Sequence, residues 1–174
     1  MIEYTVKVHD NGTRYWYLNG NRHREDGPAV ENANGDKYWY LDGKLHREDI
    51  NPETGLTCPA IEHADGTKYW YLNGKYHRED RSETGVSLPA IEYANGDKYW
   101  YLNGELHRKD GPAIECADGI KCWYLNGKRH REDGPATEFA NGETRYWING
   151  NYIPQLDNKH IYGKENLQKF LLLV

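Results

Sequence analysis

Apolar and aromatic residues alternate with polar ones in short bursts along the whole chain, as in Ala90-Ile91-Glu92, Lys98-Tyr99-Trp100-Tyr101-Leu102 and Glu105-Leu106-His107. Between turn signals the segments run only four to six residues. That is too short for helices and suits strands. The punctuation is Asx-Gly, twelve copies of which fall at matching positions in two phased sets. One set is Asn11-Gly12, Asn34-Gly35, Asp65-Gly66, Asn95-Gly96, Asp118-Gly119 and Asn141-Gly142. The other is Asn19-Gly20, Asp42-Gly43, Asn73-Gly74, Asn103-Gly104, Asn126-Gly127 and Asn149-Gly150. Asx-Gly between β-rich runs is the strongest short-range hairpin signal, because a type I′ turn needs positive φ at both central residues.

The phasing is that of a repeat. Trp falls at 16, 39, 70, 100, 123 and 147, with spacings of 23, 31, 30, 23 and 24. The clearest repeat, PAIEYANGDKYWYLNGELHRKD, covers Pro89 to Asp110. Two-residue turns at both Asx-Gly sites predict a register in which Ile91 faces Trp100 and Trp100 faces His107. Glu92 then faces Tyr99, and Tyr99 faces Arg108. Alternation sorts these into an Ile–Trp–His row on one face and a Glu–Tyr–Arg row on the other. The rows recur as Val30–Trp39–His46, Ile61–Trp70–His77 and Ile114–Trp123–His130. Each cross-strand pair contributes about 0.2–1 kcal/mol. His23, His46, His77, His107 and His130, each followed by Arg, read as ladder partners of Trp, since a catalytic His is needed once. Cys116 and Cys122 fall on opposite faces in this register, which argues against a disulfide between them.

The ends depart from the pattern. Strict alignment sets Lys7 opposite Trp16, so Met1 to His9 reads as an edge strand with a shifted register or a bulge. An extra residue within Glu143-Thr144-Arg145 suggests a second bulge before Trp147. Lys164 to Val174 reads as a short helix, with Leu167, Phe170, Leu171 and Val174 at i, i+3, i+4, i+7 spacing. Such a helix would cap the last hairpin. Two repeats carry insertions after the HRED run, Ile50 to Cys58 and Arg81 to Leu88, where the others have one Gly (Gly27, Gly111, Gly134). Stacking brings these loops side by side, and insertions in repeats often map to a binding face.

The expected fold is therefore all-β: an elongated single-layer antiparallel sheet of stacked β-hairpin repeats over residues 1–150, then a cap with a short helix over 151–174. Composition fits a thin sheet, with 15 Tyr and 6 Trp against 2 Phe and 1 Met. A net charge of −5 lacks the basic stripe that nucleic acid or an anionic membrane wants. No apolar run approaches about 18 residues, so no transmembrane span is expected. The start of the chain, without a basic stretch or an apolar core, does not read as a signal peptide. The three cysteines, Cys58, Cys116 and Cys122, show no metal-ligand spacing and suit reduced thiols in a cytoplasmic setting.

The 23-residue period and the run YWYLNGKxHREDGPAxEyANGxK resemble the MORN repeat and its bacterial and phage variants, over roughly residues 4 to 150. Tyr99 matches that repeat's leading Tyr, Asn103-Gly104 its central Asn-Gly, Gly111 the first Gly of its GxG and Asn95-Gly96 its closing Asx-Gly. Tyr101 stands where the family has Gly, Ala113 replaces the second Gly of GxG, and the insertions displace the equivalent of Gly111 twice. The resemblance implies a twisted antiparallel sheet of hairpins used as an interaction scaffold. Lipid-headgroup binding, ascribed to some members, would call for a polybasic cluster that this chain lacks. Some bacterial variants are described as antitoxins, which implies inhibition by binding.

The functional expectation is a non-catalytic protein-binding scaffold, such as a phage or bacterial inhibitor of a host defence or toxin protein, working in the cytoplasm (the host's, if phage-encoded). No GxSxG, HExxH or phosphate-binding loop is present, and no catalytic residue, metal site or cofactor is expected. The candidate partner-binding residues are Asn51, Glu53, Thr54, Leu56, Arg81, Glu83, Thr84 and Val86 in the insertions. On the aromatic rows they are Tyr38, Tyr40, Tyr69, Tyr71, Tyr99 and Tyr101. Tyr, Trp and Arg dominate interface hot spots. Stacking of a nucleotide or carbohydrate on the aromatic rows is the alternative, and a purely structural role is a third. A homodimer through the C-terminal helix or the sheet edges stays open.

Overall fold

A computed structural model describes residues 3–172 of the chain. The chain divides into two compact bodies, Met1–Ala94 and Asn95–Val174. Both are antiparallel sheets of stacked hairpins, and the second also carries a short α-helix, Lys164–Leu171. In the first body the strand order is Thr5–Val8, Arg14–Leu18, Val30–Glu31, Lys37–Tyr38, Ile61–Glu62, Lys68–Tyr69 and Ile91–Glu92. In the second it is Lys98–Tyr99, Ile114–Glu115, Lys121–Cys122, Thr137–Glu138 and Thr144–Arg145.

The two Asx-Gly sets build different turns. Asn19, Asp42, Asn73, Asn103, Asn126 and Asn149 all have φ between 48 and 54°, and each following Gly is also positive, which is the type I′ geometry expected. In the other set only the Gly is left-handed. There the amide of Gly35 donates to the Asn32 carbonyl and the amide of Asn32 to the Asp36 carbonyl, both at 2.9 Å. This is a type I turn closed by a glycine bulge, with three loop residues rather than two.

That one residue corrects the predicted register. Val30 faces Tyr38, Ile61 faces Tyr69 and Ile114 faces Cys122, so the aliphatic residue shares its face with Tyr and not with Trp. Glu31, Glu62 and Glu115 face Lys37, Lys68 and Lys121 in place of Tyr. The Trp–His half of the prediction stands: the amide of His46 donates to the Trp39 carbonyl and that of His107 to the Trp100 carbonyl.

The same loop removes both predicted bulges. Lys7 pairs with Tyr15 and Val6 with Trp16, the pairing that the regular hairpins have, and Thr5–Val8 is an exposed edge strand without a slip. Near the other end Thr137 pairs with Arg145, as Ile114 pairs with Cys122. Tyr146 therefore takes the tryptophan position, and Trp147 takes that of Tyr124. The Ile153 amide donates to the Tyr146 carbonyl just as that of His130 donates to Trp123.

Each of the first five tryptophans sits where two ladders meet. Its amide donates to the alanine carbonyl of the next repeat (Trp39 to Ala60, 2.9 Å), and its carbonyl accepts from its own tight hairpin. Those hairpins, such as Tyr40–Leu41 with Lys44–Leu45, stack in turn: the Gly43 amide donates to the Arg22 carbonyl and the Gly74 amide to the Leu45 carbonyl, both at 2.8 Å. The core is correspondingly thin. Ala29, Ala60, Ala90, Ala113 and Ala136 are fully buried, and Trp39, Trp70 and Trp100 nearly so.

The C-terminal tail closes the second body. Leu167 on the helix buries itself against Tyr146 and Leu156, with Ile148, Ile153 and Ile161 around them. The Tyr146 hydroxyl donates to the Ile161 carbonyl, and Asn158 exchanges hydrogen bonds with the Thr144 backbone. The helix thus caps the last hairpin as expected. Of its predicted apolar face, Val174 and the side chains of Phe170 and Leu171 lie outside what is described.

Candidate functional site

The HRED runs are clamps. In each of five repeats the arginine lays its guanidinium on the repeat's own tryptophan: Arg24 on Trp16, Arg47 on Trp39, Arg78 on Trp70, Arg108 on Trp100 and Arg131 on Trp123. The distances to the ring centroid run from 3.8 to 4.2 Å. The Nε of Arg47 donates to Asp49 at 3.0 Å, and its Nη1 donates to the Pro59 carbonyl and to Glu62 at 3.0 and 2.9 Å. The other four repeat the scheme. The predicted Arg–Glu partnership is present, but as a folded-over clamp and not as a cross-strand row through Tyr. It accounts for the recurring Trp, Arg and Asp, and for the Pro and Glu that the insertions displace along the chain without removing.

The histidines latch neighbouring repeats together. His46 Nδ1 accepts from the Asn73 amide at 3.2 Å, and His130 Nδ1 from that of Asn149 at 3.1 Å. In all but His107, which Lys109 follows, the other ring nitrogen faces the glutamate two residues on, as between His46 and Glu48 at 3.2 Å. Between two such turns a cleft of about 310 Å³ opens, floored by Trp70 and Leu72 and rimmed by Glu48 and Glu79.

Register creates a tyrosine face. In the first body Tyr15, Val30, Tyr38, Ile61, Tyr69 and Ile91 succeed one another across the sheet. The aliphatic members are buried and the tyrosines half-buried. Tyr17, Tyr40 and Tyr71 follow two residues later on the same face. His63 stands edge-on between Tyr38 and Tyr69, at 5.8 and 5.5 Å. Burial pushes the Tyr69 and Tyr71 hydroxyls far above the ordinary tyrosine range, so both stay neutral donors. Arg22 lies 5.3 and 5.5 Å from the Tyr15 and Tyr40 rings, over a recess of about 170 Å³. Four predicted residues, Tyr38, Tyr40, Tyr69 and Tyr71, are therefore brought together. Tyr99 and Tyr101 hold the same strand positions in the second body, with Tyr99 facing Ile114.

The insertions fold into small hairpins, bridged at Ile50–Thr57 and Arg81–Ser87. Asn51 is half-buried and closes its turn by accepting from the Glu53 and Thr54 amides, so it shapes the loop. Arg81 likewise donates to the Gly85 carbonyl. Glu53, Thr54, Glu83 and Thr84 stand exposed, Leu56 is half-buried, and Val86 is 40% exposed. The loops are joined: the Thr57 amide and hydroxyl both donate to Asp80 at the base of the second loop, at 3.1 and 2.5 Å. Thr57 also accepts from the Trp70 indole at 2.9 Å. Ile50 is 55% exposed, an aliphatic side chain beside these residues that its place in the sequence does not single out.

Cys116 and Cys122 correct a further expectation. With Cys122 facing Ile114, Cys116 two residues on shares its face, at the positions that His63 and Tyr69 hold in the third repeat. All three thiols are free. Among the described residues no three His, Cys, Asp or Glu side chains are grouped to hold a metal ion, and no helix is long and apolar enough to cross a membrane.

Set against known proteins, the chain matches no family pattern, and no curated protein is significantly similar to it.

Proposed function

We propose that the chain is a MORN-like, non-catalytic protein-binding module that captures its partner through the paired loops at 50–58 and 81–88. The tyrosine face of the first body serves as a second contact area. One observation carries this reading: the insertions are hydrogen-bonded hairpins locked together by Thr57 and Asp80, which hold Ile50 and Val86 out to solvent. Ordering loops before binding removes an entropic cost of association. A rigid binder of this kind inhibits a toxin or defence protein by covering its working surface, without chemistry of its own.

The test replaces each insertion by one Gly, as at Gly27 and Gly134 in uninterrupted repeats. The shortened protein keeps its circular-dichroism spectrum and a cooperative melt but no longer pulls down the partner that the full chain captures. Recovery of the same partner would overturn the loop assignment. The Arg22 recess supports a second reading, in which a nucleotide or carbohydrate stacks on Tyr15, Tyr38 and Tyr40. Stoichiometric heat on titration with nucleotides or oligosaccharides would favour that reading over the first.

A further inference from the structure

Each HRED turn ends on an Asp whose backbone carbonyl can accept from outside the turn. In three repeats a separate segment supplies the donor: Cys58 to Asp49 at 2.8 Å, Leu88 to Asp80 at 3.0 Å and Gly163 to Asp133 at 2.6 Å. The first two donors lie in the insertions. The third lies in the tail, and it comes with two further contacts. The Tyr162 ring stands 5.8 Å from the Arg131 guanidinium and so close to Gly134 that a Cβ there would meet it at 3.0 Å. Lys164 forms an ion pair with Glu132. Tyr162-Gly163-Lys164 is thus a three-point ligand of His130-Arg131-Glu132-Asp133-Gly134. Its middle residue has φ of 94°, where a side chain is strained.

His23-Arg24-Glu25-Asp26-Gly27 is the same pentapeptide with the same clamp. Arg24 lies 4.2 Å from the Trp16 centroid and bonds Asp26 at 2.8 Å, against 4.0 and 2.7 Å for Arg131 with Trp123 and Asp133. Among the described residues no amide donates to the Asp26 carbonyl, and Glu25 pairs with no Lys or Arg, its near neighbour being the His23 ring at 3.7 Å. His23 is only 5% exposed, and its Nε2, turned toward Glu25, has no hydrogen-bond partner. The Tyr4 hydroxyl, which accepts from the Glu25 amide at 3.2 Å, forms one wall. His107 to Gly111 is not equivalent, because Lys109 stands where the others have Glu.

The geometry points to the His23–Gly27 turn as a docking site for an aromatic–glycine–lysine segment of another protein. The ring packs on Arg24 and Gly27, the glycine amide donates to the Asp26 carbonyl, and the ammonium meets Glu25. A cationic segment also suits a chain of net charge −5. The occupant is not the tail of a second copy: that tail is tethered beside its own site, with Leu167 1% exposed, and a tethered ligand outcompetes a free one. The site is separate from the paired loops, so shortening them leaves this inference untouched.

The test titrates the full ¹⁵N-labelled chain with the synthetic peptide HIYGKENL, copied from residues 160–167. Saturable shifts are expected at the Glu25, Asp26 and Gly27 amides and the Trp16 indole. Glu25→Lys, at a well-exposed position, should leave the melt unchanged and weaken binding about tenfold. A peptide with glutamate in place of its lysine should bind as weakly. Shifts confined to Glu132–Gly134, no shifts, or equal binding by the Glu25→Lys protein would each overturn the inference.

Discussion

Arg78 lies 3.8 Å from the centroid of the Trp70 ring while its Nε bonds Asp80 and its Nη1 bonds the Pro89 carbonyl and Glu92, at 2.9 to 3.1 Å. It is the most buried clamp, with the Arg78 side chain 4% exposed and that of Asp80 13%. Arg78→Met keeps the apolar stem but strands Asp80 and Glu92. The expected loss is about 2–4 kcal/mol, read from the urea midpoint. Arg78→Lys keeps a charge without the planar fork and should lose about 1–2 kcal/mol.

The two turn classes should respond differently to alanine. Asn126 is left-handed at φ 50°, a conformation that Asn tolerates through its short polar side chain and Ala does not, so Asn126→Ala should cost about 1–2 kcal/mol. Asp118 is not left-handed, and its side chain contributes one bond, accepting from the Ile120 amide at 3.1 Å. Asp118→Ala should cost about 1 kcal/mol or less. Paired thermal melts check the order, and equal losses would contradict the assignment.

Acid should loosen the second and third repeats through Asp36. The Ala64 amide, donating to it at 2.8 Å, with Asn34 and His63 beside it, holds its carboxyl at about 2, below its ordinary 3.8. A depressed carboxylate stabilises the fold above its unfolded value, and that contribution fades as pH falls through the folded one. Melting temperature should therefore drop between pH 4 and pH 2, and less steeply in Asp36→Asn.

The cap should be separable from the repeats. Leu167→Ala removes the side chain packed on Tyr146 and Leu156, at about 2–5 kcal/mol. Tyr146→Phe removes the hydroxyl that bonds Ile161, at about 1–2 kcal/mol. Limited proteolysis should then cut within residues 151–174 sooner than within 1–94.

The candidate site was half legible in the chain. The insertions announced themselves by interrupting a strict period, and the tyrosines by recurring. The joining of the loops through Thr57 and Asp80 was not visible, because a Thr–Asp bond carries no periodic signal. One clue to the three-residue loops was present: Ala33, Ala64, Ala94, Ala117 and Ala140 precede the Asx-Gly five times. That alanine packs on the glycine turn of the neighbouring repeat, with Ala64 Cβ beside Gly35 and the Ala64 amide donating to Asp36.

The amino-acid sequence by itself determined that this protein is built of hairpins in phase, because glycine and Asx conformations are local properties. It also determined where the repeats are interrupted and where they stop. The tertiary structure decided which residues share a face. A glycine bulge and a type I′ turn both demand a left-handed Gly, so the dipeptide is silent about loop length. The choice falls to packing: one residue more in the loop sets Tyr beside Ile and leaves Trp free to meet Arg. The same packing gave the tryptophan position to Tyr146, since hydrogen bonds count residues and not resemblance.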